Sequence, residues 1–211
     1  DYYIVGAMYE SNLVLALVNH TSQGIETEKL PTVAGFPRAK VNFHNVLIPE
    51  LNMFPTEPSN LQNAMNLAIL CQCAEMIGRA EGILEIVLEY CHNRVQFGRP
   101  IGSFQAIQHQ CADLSISIEA AKLHVYRAGA ASAQSLAYRT ELASMAKANC
   151  GDMSKLSTKT GHGIFAGISF TSEHPMHLYS EQNKLAEAAY GNTMYHTRLI
   201  GTMLSESINV S

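Results

Sequence analysis

What this 211-residue sequence lacks narrows its function before any motif is read. Only 15% of its residues are charged, the 14 Lys and Arg are outnumbered by 18 Asp and Glu, and no basic run occurs. A chain that neutralises phosphates along a nucleic acid or an anionic membrane surface concentrates Lys and Arg on one face, so neither partner is expected. No apolar run reaches the roughly 20 residues of a membrane-spanning helix. The start carries no charged segment followed by an apolar one. These absences predict no membrane span, no signal peptide and a soluble, cytoplasmic protein.

Phosphate-cradling loops are missing too: neither a strand-borne G-x-G-x-x-G nor a G-x-x-x-x-G-K is present. Cys71, Cys73, Cys91, Cys111 and Cys150 are odd in number and lie mostly within helical patterns. They read as reduced packing residues rather than as a disulfide framework. Cys71 and Cys73, two apart on a helix, point in different directions, and no second Cys/His pair completes a tetrahedral set, so no structural metal is expected. An initiator methionine is also absent. The chain starts at Asp1 inside a strand-like run, which reads as a piece of a longer protein.

What is present is a 47% hydrophobic composition, enough for one sizeable core or for one domain plus part of another. Residues 1–52 read as β-structure, with strands at Tyr2–Tyr9, Asn12–Asn19 and Lys40–Ile48 separated by turns near Thr21–Gly24 and Gly35–Pro37. Three strands are too few for a robust sheet, and they resemble the second half of a sandwich or barrel. Met53–Pro58, with its two prolines, marks a linker.

From residue 57 onward the period changes to that of helices. Ser59 or Asn60 is placed to cap a helix running to about Arg94, with Ile77, Leu84, Val87, Leu88 and Cys91 on one side. Ser103 is placed to cap a second, whose Ile107, Cys111, Leu114, Ile118, Ala121 and Val125 alternate steps of four and three, as in a bundle seam. A third helix is predicted over Leu136–Thr160, ended by the glycine-rich residues 161–167. Two more are predicted over His174–Ala189 and Thr193–Ser205, on either side of Gly191-Asn192. The expected fold is mainly α: an antiparallel four- to five-helix bundle over 57–211, preceded by a partial antiparallel β-domain over 1–52.

The junction from Arg94 to Gln105, RVQFGRPIGSFQ, is denser in chemistry than a helix-helix connection requires. Arg94 at a helix end also reads as a dipole-favoured cap, and Gly98 and Pro100 as helix stops. The combination goes further. Arg94 offers a planar fork for a pyrophosphate, Gln96 and Gln105 offer amide groups, and Phe104 offers a flat apolar face. Such a set suits a dinucleotide lying across the end of a bundle.

The stretch from Arg94 to His109 resembles the junction between the first two helices of the carboxy-terminal domain in the acyl-CoA dehydrogenase family. Residues 31–49, PTVAGFPRAKVNFHNVLIP, are similar to the end of that family's middle β-domain, and residues 164–179, IFAGISFTSEHPMHLY, to its late loop and helix. Essentially the whole chain is covered. The resemblance implies an FAD-dependent oxidoreductase that dehydrogenates an acyl-CoA substrate, passes electrons to an electron-transfer flavoprotein or similar acceptor, and works as a homo- or hetero-oligomer. It implies that Arg94, Gln96 and Gln105 contact the FAD of a neighbouring protomer near its pyrophosphate and adenosine portion, with Phe104 and Gly167 also at the cofactor.

Two departures accompany the resemblance. The family's late loop reads like Q-x-x-G-G-x-G-[FY]; here Gly163 stands at the glutamine, Ala166 and Ser169 stand at glycines, and Gly167 alone of the three glycines remains. The family's catalytic Glu precedes a Gly-Thr pair between the last two helices, where Tyr190 occupies the position. The family's alternative site on the first bundle helix matches about Ala68. Neither side chain is a base at neutral pH. Glu187, one turn before Tyr190, is a substitute if the loop is shifted, and otherwise a solvated helix residue. The catalytic residue therefore stays unassigned, and a non-catalytic subunit of a heteromeric dehydrogenase is the alternative reading.

Overall fold

Two nearly continuous apolar runs at the start of the chain build the first hairpin. In the computed structural model, which describes residues 1–134 and 137–209, β1 (Tyr2–Tyr9) and β2 (Asn12–Asn19) pair antiparallel, with Tyr2 opposite Asn19 and Tyr9 opposite Asn12. Glu10 and Ser11 form the two-residue turn with φ of 46° and 68°, the left-handed pair that matches strand twist. Val14, Ala16 and Val18 are buried at period two.

β3 (Ile25–Leu30) pairs with β4 (Arg38–Phe43). The strand expected over Lys40–Ile48 therefore starts earlier and stops at Phe43. Its end is set by Gly24: the His44 amide donates to the Gly24 carbonyl at 2.8 Å, and a Cβ on Gly24 would stand 2.2 Å from the His44 carbonyl oxygen. β3 was not expected at all. Its residues IETEKL present no buried face, so the alternation that marks a strand is missing. The linker read at Met53–Pro58 is corrected as well. Met53–Pro55 forms β5 and extends the sheet in the order β1-β2-β5, with Ala16 opposite Met53.

α1 (Pro58–Asn93) begins with proline in its first turn rather than with Ser59 or Asn60 as cap. Ile77, Val87 and Cys91 are buried and Leu84 packs against them, whereas Leu88 is 50% exposed and lies off the expected face. After two short strands described below, α2 (Gln105–Ala133) follows Phe104 as its cap residue. Ser103 does not cap it, because its hydroxyl donates to the Pro100 carbonyl at 2.7 Å. The predicted seam is observed: Cys111, Leu114, Ile118 and Ala121 are buried, with Ile107 and Val125 packed at its ends.

α3 (Arg139–Phe165) is longer than expected at its end; the predicted start at Leu136 lies outside the described residues. The helix runs through Gly161 because that glycine is a packing site, not a breaker. A Cβ there would lie 2.6 Å from Met176 Sδ and 3.2 Å from Ile83. α4 (Met176–Ala188) and α5 (Thr193–Asn209) complete the bundle, the fourth starting two residues later than predicted and the fifth running four further. Asp1–Ala64 and Met65–Ser211 are two compact units. Within the second, one apolar cluster centres on Met76, Leu114, Cys150 and Met153, and another on Ile83, Val87, Cys91 and Phe165. No described helix is long and apolar enough to cross a membrane.

Candidate functional site

The junction read as a chemically dense connection is a β-hairpin. β6 (Val95–Gln96) pairs with β7 (Arg99–Pro100), and Phe97 and Gly98 turn between them with φ of 52° and 78°. Gly98 relieves one of these left-handed positions, but Phe97 holds the other with a bulky side chain that is 93% exposed. The base of the hairpin is closed by the Ile101 amide donating to the Arg94 carbonyl at 2.8 Å. Gly102 lets the chain approach α1, a Cβ there standing 3.1 Å from the Cys91 carbonyl oxygen. Arg94, Gln96 and Gln105 are exposed, and no hydrogen bond or ion pair engages the Arg94 guanidinium among the described residues. Gln96 folds its amide onto the Val95 carbonyl at 2.7 Å. Phe104 carries the Arg99 guanidinium 4.2 Å from its ring centre and meets Phe97 edge-on at 6.1 Å.

The late loop reaches the same end of the bundle. Phe165, the last residue of α3, packs 5.0 Å from the ring of Tyr90, one turn before Arg94. Ala166 then turns the chain with φ 55° and ψ −137°, a region that only glycine enters without strain. This is a position where the family pattern has glycine. Ser169 compensates for it: its buried hydroxyl donates to the Ala166 carbonyl at 2.6 Å. Since that hydroxyl proton is committed, the 2.8 Å contact from His162 Nδ1 is an N–H donating to Ser169 Oγ. Burial, and secondly the nearby His174, hold the His162 pKa below its ordinary value. Its ring stacks on Phe170 at 4.4 Å and 17°. Gly167 is exposed beside this lock. Ala166→Gly is therefore expected to stabilise the fold by about 1 kcal/mol, raising the thermal midpoint by roughly 2–4 °C. An unchanged or lower midpoint in thermal unfolding would show that Ala166 bears no strain.

At the α4–α5 turn the holding is done by Glu187, which is buried rather than a solvated helix residue, and by Lys147 and His196, which the sequence reading missed. Glu187, 6% exposed, accepts from the Thr193 amide at 3.2 Å and from its hydroxyl at 3.1 Å. Lys155 lies 3.3 Å from one of its oxygens and Lys184 3.5 Å from the other. Burial pushes its pKa up, but the Thr193 N–H and Lys155 outweigh it and bring the net shift down. The carboxylate thus sits ionised at the positive end of α5. Lys147 is wholly buried and donates to the Ala186 and Glu187 carbonyls at 3.0 and 2.9 Å. His196, also buried, donates from Nε2 to the Tyr190 carbonyl at 3.0 Å. Tyr190 and Gly191 have φ of 56° and 97°, and the Tyr190 side chain is half exposed. Ala68 is half-buried on α1.

The structure thus groups Arg94, Gln96, Phe104, Gln105 and Gly167 at one bundle end and Tyr190 with Glu187 elsewhere. Glu187 packs over Gly151, about 14 residues and ~21 Å along α3 from Phe165. Lys147 left one signal in the sequence, since Ala143, Ala146 and Cys150 put it on the buried face of α3. The Ser169 lock left none.

Residues 59–204 match the family model of the acyl-CoA dehydrogenase C-terminal domain. The chain belongs to the acyl-CoA dehydrogenase family. The acyl-CoA dehydrogenase IpdE2 of Mycobacterium tuberculosis is 44% identical over 114 residues, covering 53% of this chain and 33% of that protein. The mitochondrial short/branched chain specific acyl-CoA dehydrogenase of Bos taurus is 27% identical over 195 residues, covering 90% of this chain and 45% of that protein. The solved butyryl-CoA dehydrogenase of Megasphaera elsdenii matches with a TM-score of 0.87 at 25% identity, covering 97% of this chain and 56% of that one. The chain spans a third to about half the length of these dehydrogenases.

Proposed function

We propose that this chain is the carboxy-terminal part of an FAD-dependent acyl-CoA dehydrogenase, which removes the α-proton and β-hydride of an acyl-CoA thioester. The observation that carries the reading is the hairpin that presents Arg94, exposed and with no side-chain partner among the described residues, beside the uncapped start of α2 and the late loop. These residues fit the cofactor. A guanidinium without a partner among the described residues is available to a pyrophosphate, the α2 N-terminus has no side-chain cap on its amides, and Gln105 adds an amide group. Bound there, FAD would supply the hydride acceptor. Arg94, Gln96, Gln105 and Gly167 hold and orient it, and Phe104, already covered by Arg99, stiffens the hairpin beneath. The sharing of the site between protomers makes the protein an oligomer of dehydrogenase subunits, with an electron-transfer flavoprotein or similar acceptor as redox partner and the cytoplasm as its compartment.

A second reading is favoured by the α4–α5 turn. Tyr190 stands where the base is expected, and Glu187 is committed to Thr193, Lys155 and Lys184. On this reading the chain is a non-catalytic subunit that shapes an interface while a partner supplies the base. Flavin absorbance of the full-length protein, and its acyl-CoA oxidation with an artificial acceptor, separate the two. Flavin with turnover by the protein alone supports the first, flavin or turnover only with a partner subunit supports the second, and no flavin in either sample removes both.

A further inference from the structure

A cleft of about 320 Å³ opens between α3, α4 and the late loop. Lys155, Lys159 and Lys184 line it with His162, Phe170 and Ser154, and the flavin reading uses none of them. Two acidic groups temper its charge: Glu187 in the wall, paired with Lys155 and Lys184, and Asp152, 3.4 Å from Lys155. Lys159 has no ion pair or hydrogen bond among the described residues. Ser154 is 1% exposed, and its hydroxyl is buried without a hydrogen-bond partner among the described residues, a state folded proteins seldom leave uncompensated.

The back of the cleft is rigid. Asn183, 3% exposed, donates to Thr158 Oγ1 at 3.0 Å and Ser157 Oγ at 3.3 Å, and accepts from Arg79 Nε at 3.1 Å. At the mouth, Phe170 is 72% exposed but fixed by its stack on His162. An exposed ring held in one orientation is a platform for another flat ring.

We propose that this cleft binds a small organic phosphate carrying a flat apolar ring. Lysine ammoniums bind phosphate as point charges without a fixed geometry. Here Lys159 is uncommitted and Lys184 can turn from Glu187, while Lys155, held by Glu187, Asp152 and the Thr193 hydroxyl at 2.9 Å, adds a fixed positive charge, and Ser154 lies in the wall. The size selects within that class, because the cleft is at the lower end, roughly 300 Å³, of small-molecule sites and suits a single-ring ligand rather than a whole dinucleotide. This inference does not depend on the flavin reading.

Phenyl phosphate is the probe, titrated into the full chain by calorimetry, with inorganic phosphate in parallel. Saturable binding is expected, about tenfold tighter for phenyl phosphate than for inorganic phosphate because of the ring contact. Lys159→Gln, an exposed change that leaves the fold intact, is expected to weaken phenyl phosphate about five- to tenfold by removing an uncommitted charge. Phe170→Leu is expected to erase the preference over inorganic phosphate, and Arg94→Ala to change nothing. No saturable binding, binding unaltered by Lys159→Gln, or displacement of phenyl phosphate by FAD would overturn the proposal. The last outcome would make the cleft part of the cofactor site.

Discussion

Replacing Arg94 by alanine in the full-length protein is expected to lower FAD retention by one to two orders of magnitude, the equivalent of about 1.5–3 kcal/mol for a hydrogen bond to a charged group. The hairpin itself should survive. Its base is closed by the Arg94 carbonyl and the Ile101 amide at 2.8 Å, and its turn by the backbone of Phe97 and Gly98, none of which involves the guanidinium. Thermal stability measured without flavin is therefore expected to be unchanged. Arg94→Lys separates charge from shape: an ammonium keeps the attraction but loses the bidentate fork, so it should recover only part of the affinity. If Arg94→Ala holds FAD as tightly as the parent, the hairpin is not the cofactor contact, and a helix-end role is left for Arg94.

The parts of this protein legible in the sequence are those whose cause is local. β1 and β2 are short, nearly continuous apolar runs bounded by polar turn residues, and the α2 seam keeps its period from Cys111 to Ala121, so both could be read without a partner in view. β3 could not, because IETEKL has no buried face, and its pairing with β4 is closed at the open end by the backbone contact of Gly24 with His44. The end of α3 was misread for a related reason. Gly161 looks like a breaker in one dimension, and only the approach of Met176 from α4 reveals it as a contact that any larger residue would block. At the candidate site, the Arg94–Gln105 segment stood out by composition and Ala166 by its departure from a glycine pattern. The compensation for Ala166 needed Ser169 and His162 in three dimensions. The same holds for Lys147, whose acceptors lie 39 and 40 residues away.

Lys147→Met is expected to destabilise the fold by about 2–4 kcal/mol, since methionine fills much of the same volume while two buried carbonyls lose their donor at roughly 1–3 kcal/mol each. Relief of the buried ammonium offsets part of this loss. The pH dependence identifies the cause. Burial lowers the Lys147 pKa in the folded state, the charges of its neighbours only partly opposing it. Between that lowered value and the ordinary lysine value near ~10.4, the unfolded chain binds a proton that the folded chain does not. Stability contributed by this group therefore rises with pH across that window. The buried thiols of Cys91 and Cys150, both raised by their surroundings, work in the opposite direction but are present in parent and variant alike. The parent-minus-variant difference, from urea midpoints at a series of pH values between about 7 and 10, should isolate the lysine and grow with pH. A variant as stable as the parent, with a flat difference, would show that the Ala186 and Glu187 carbonyls need no donor. With the predicted loss, the C-terminus of α4, and with it the turn carrying Tyr190, is held in place by the hydrogen bonds of one buried lysine.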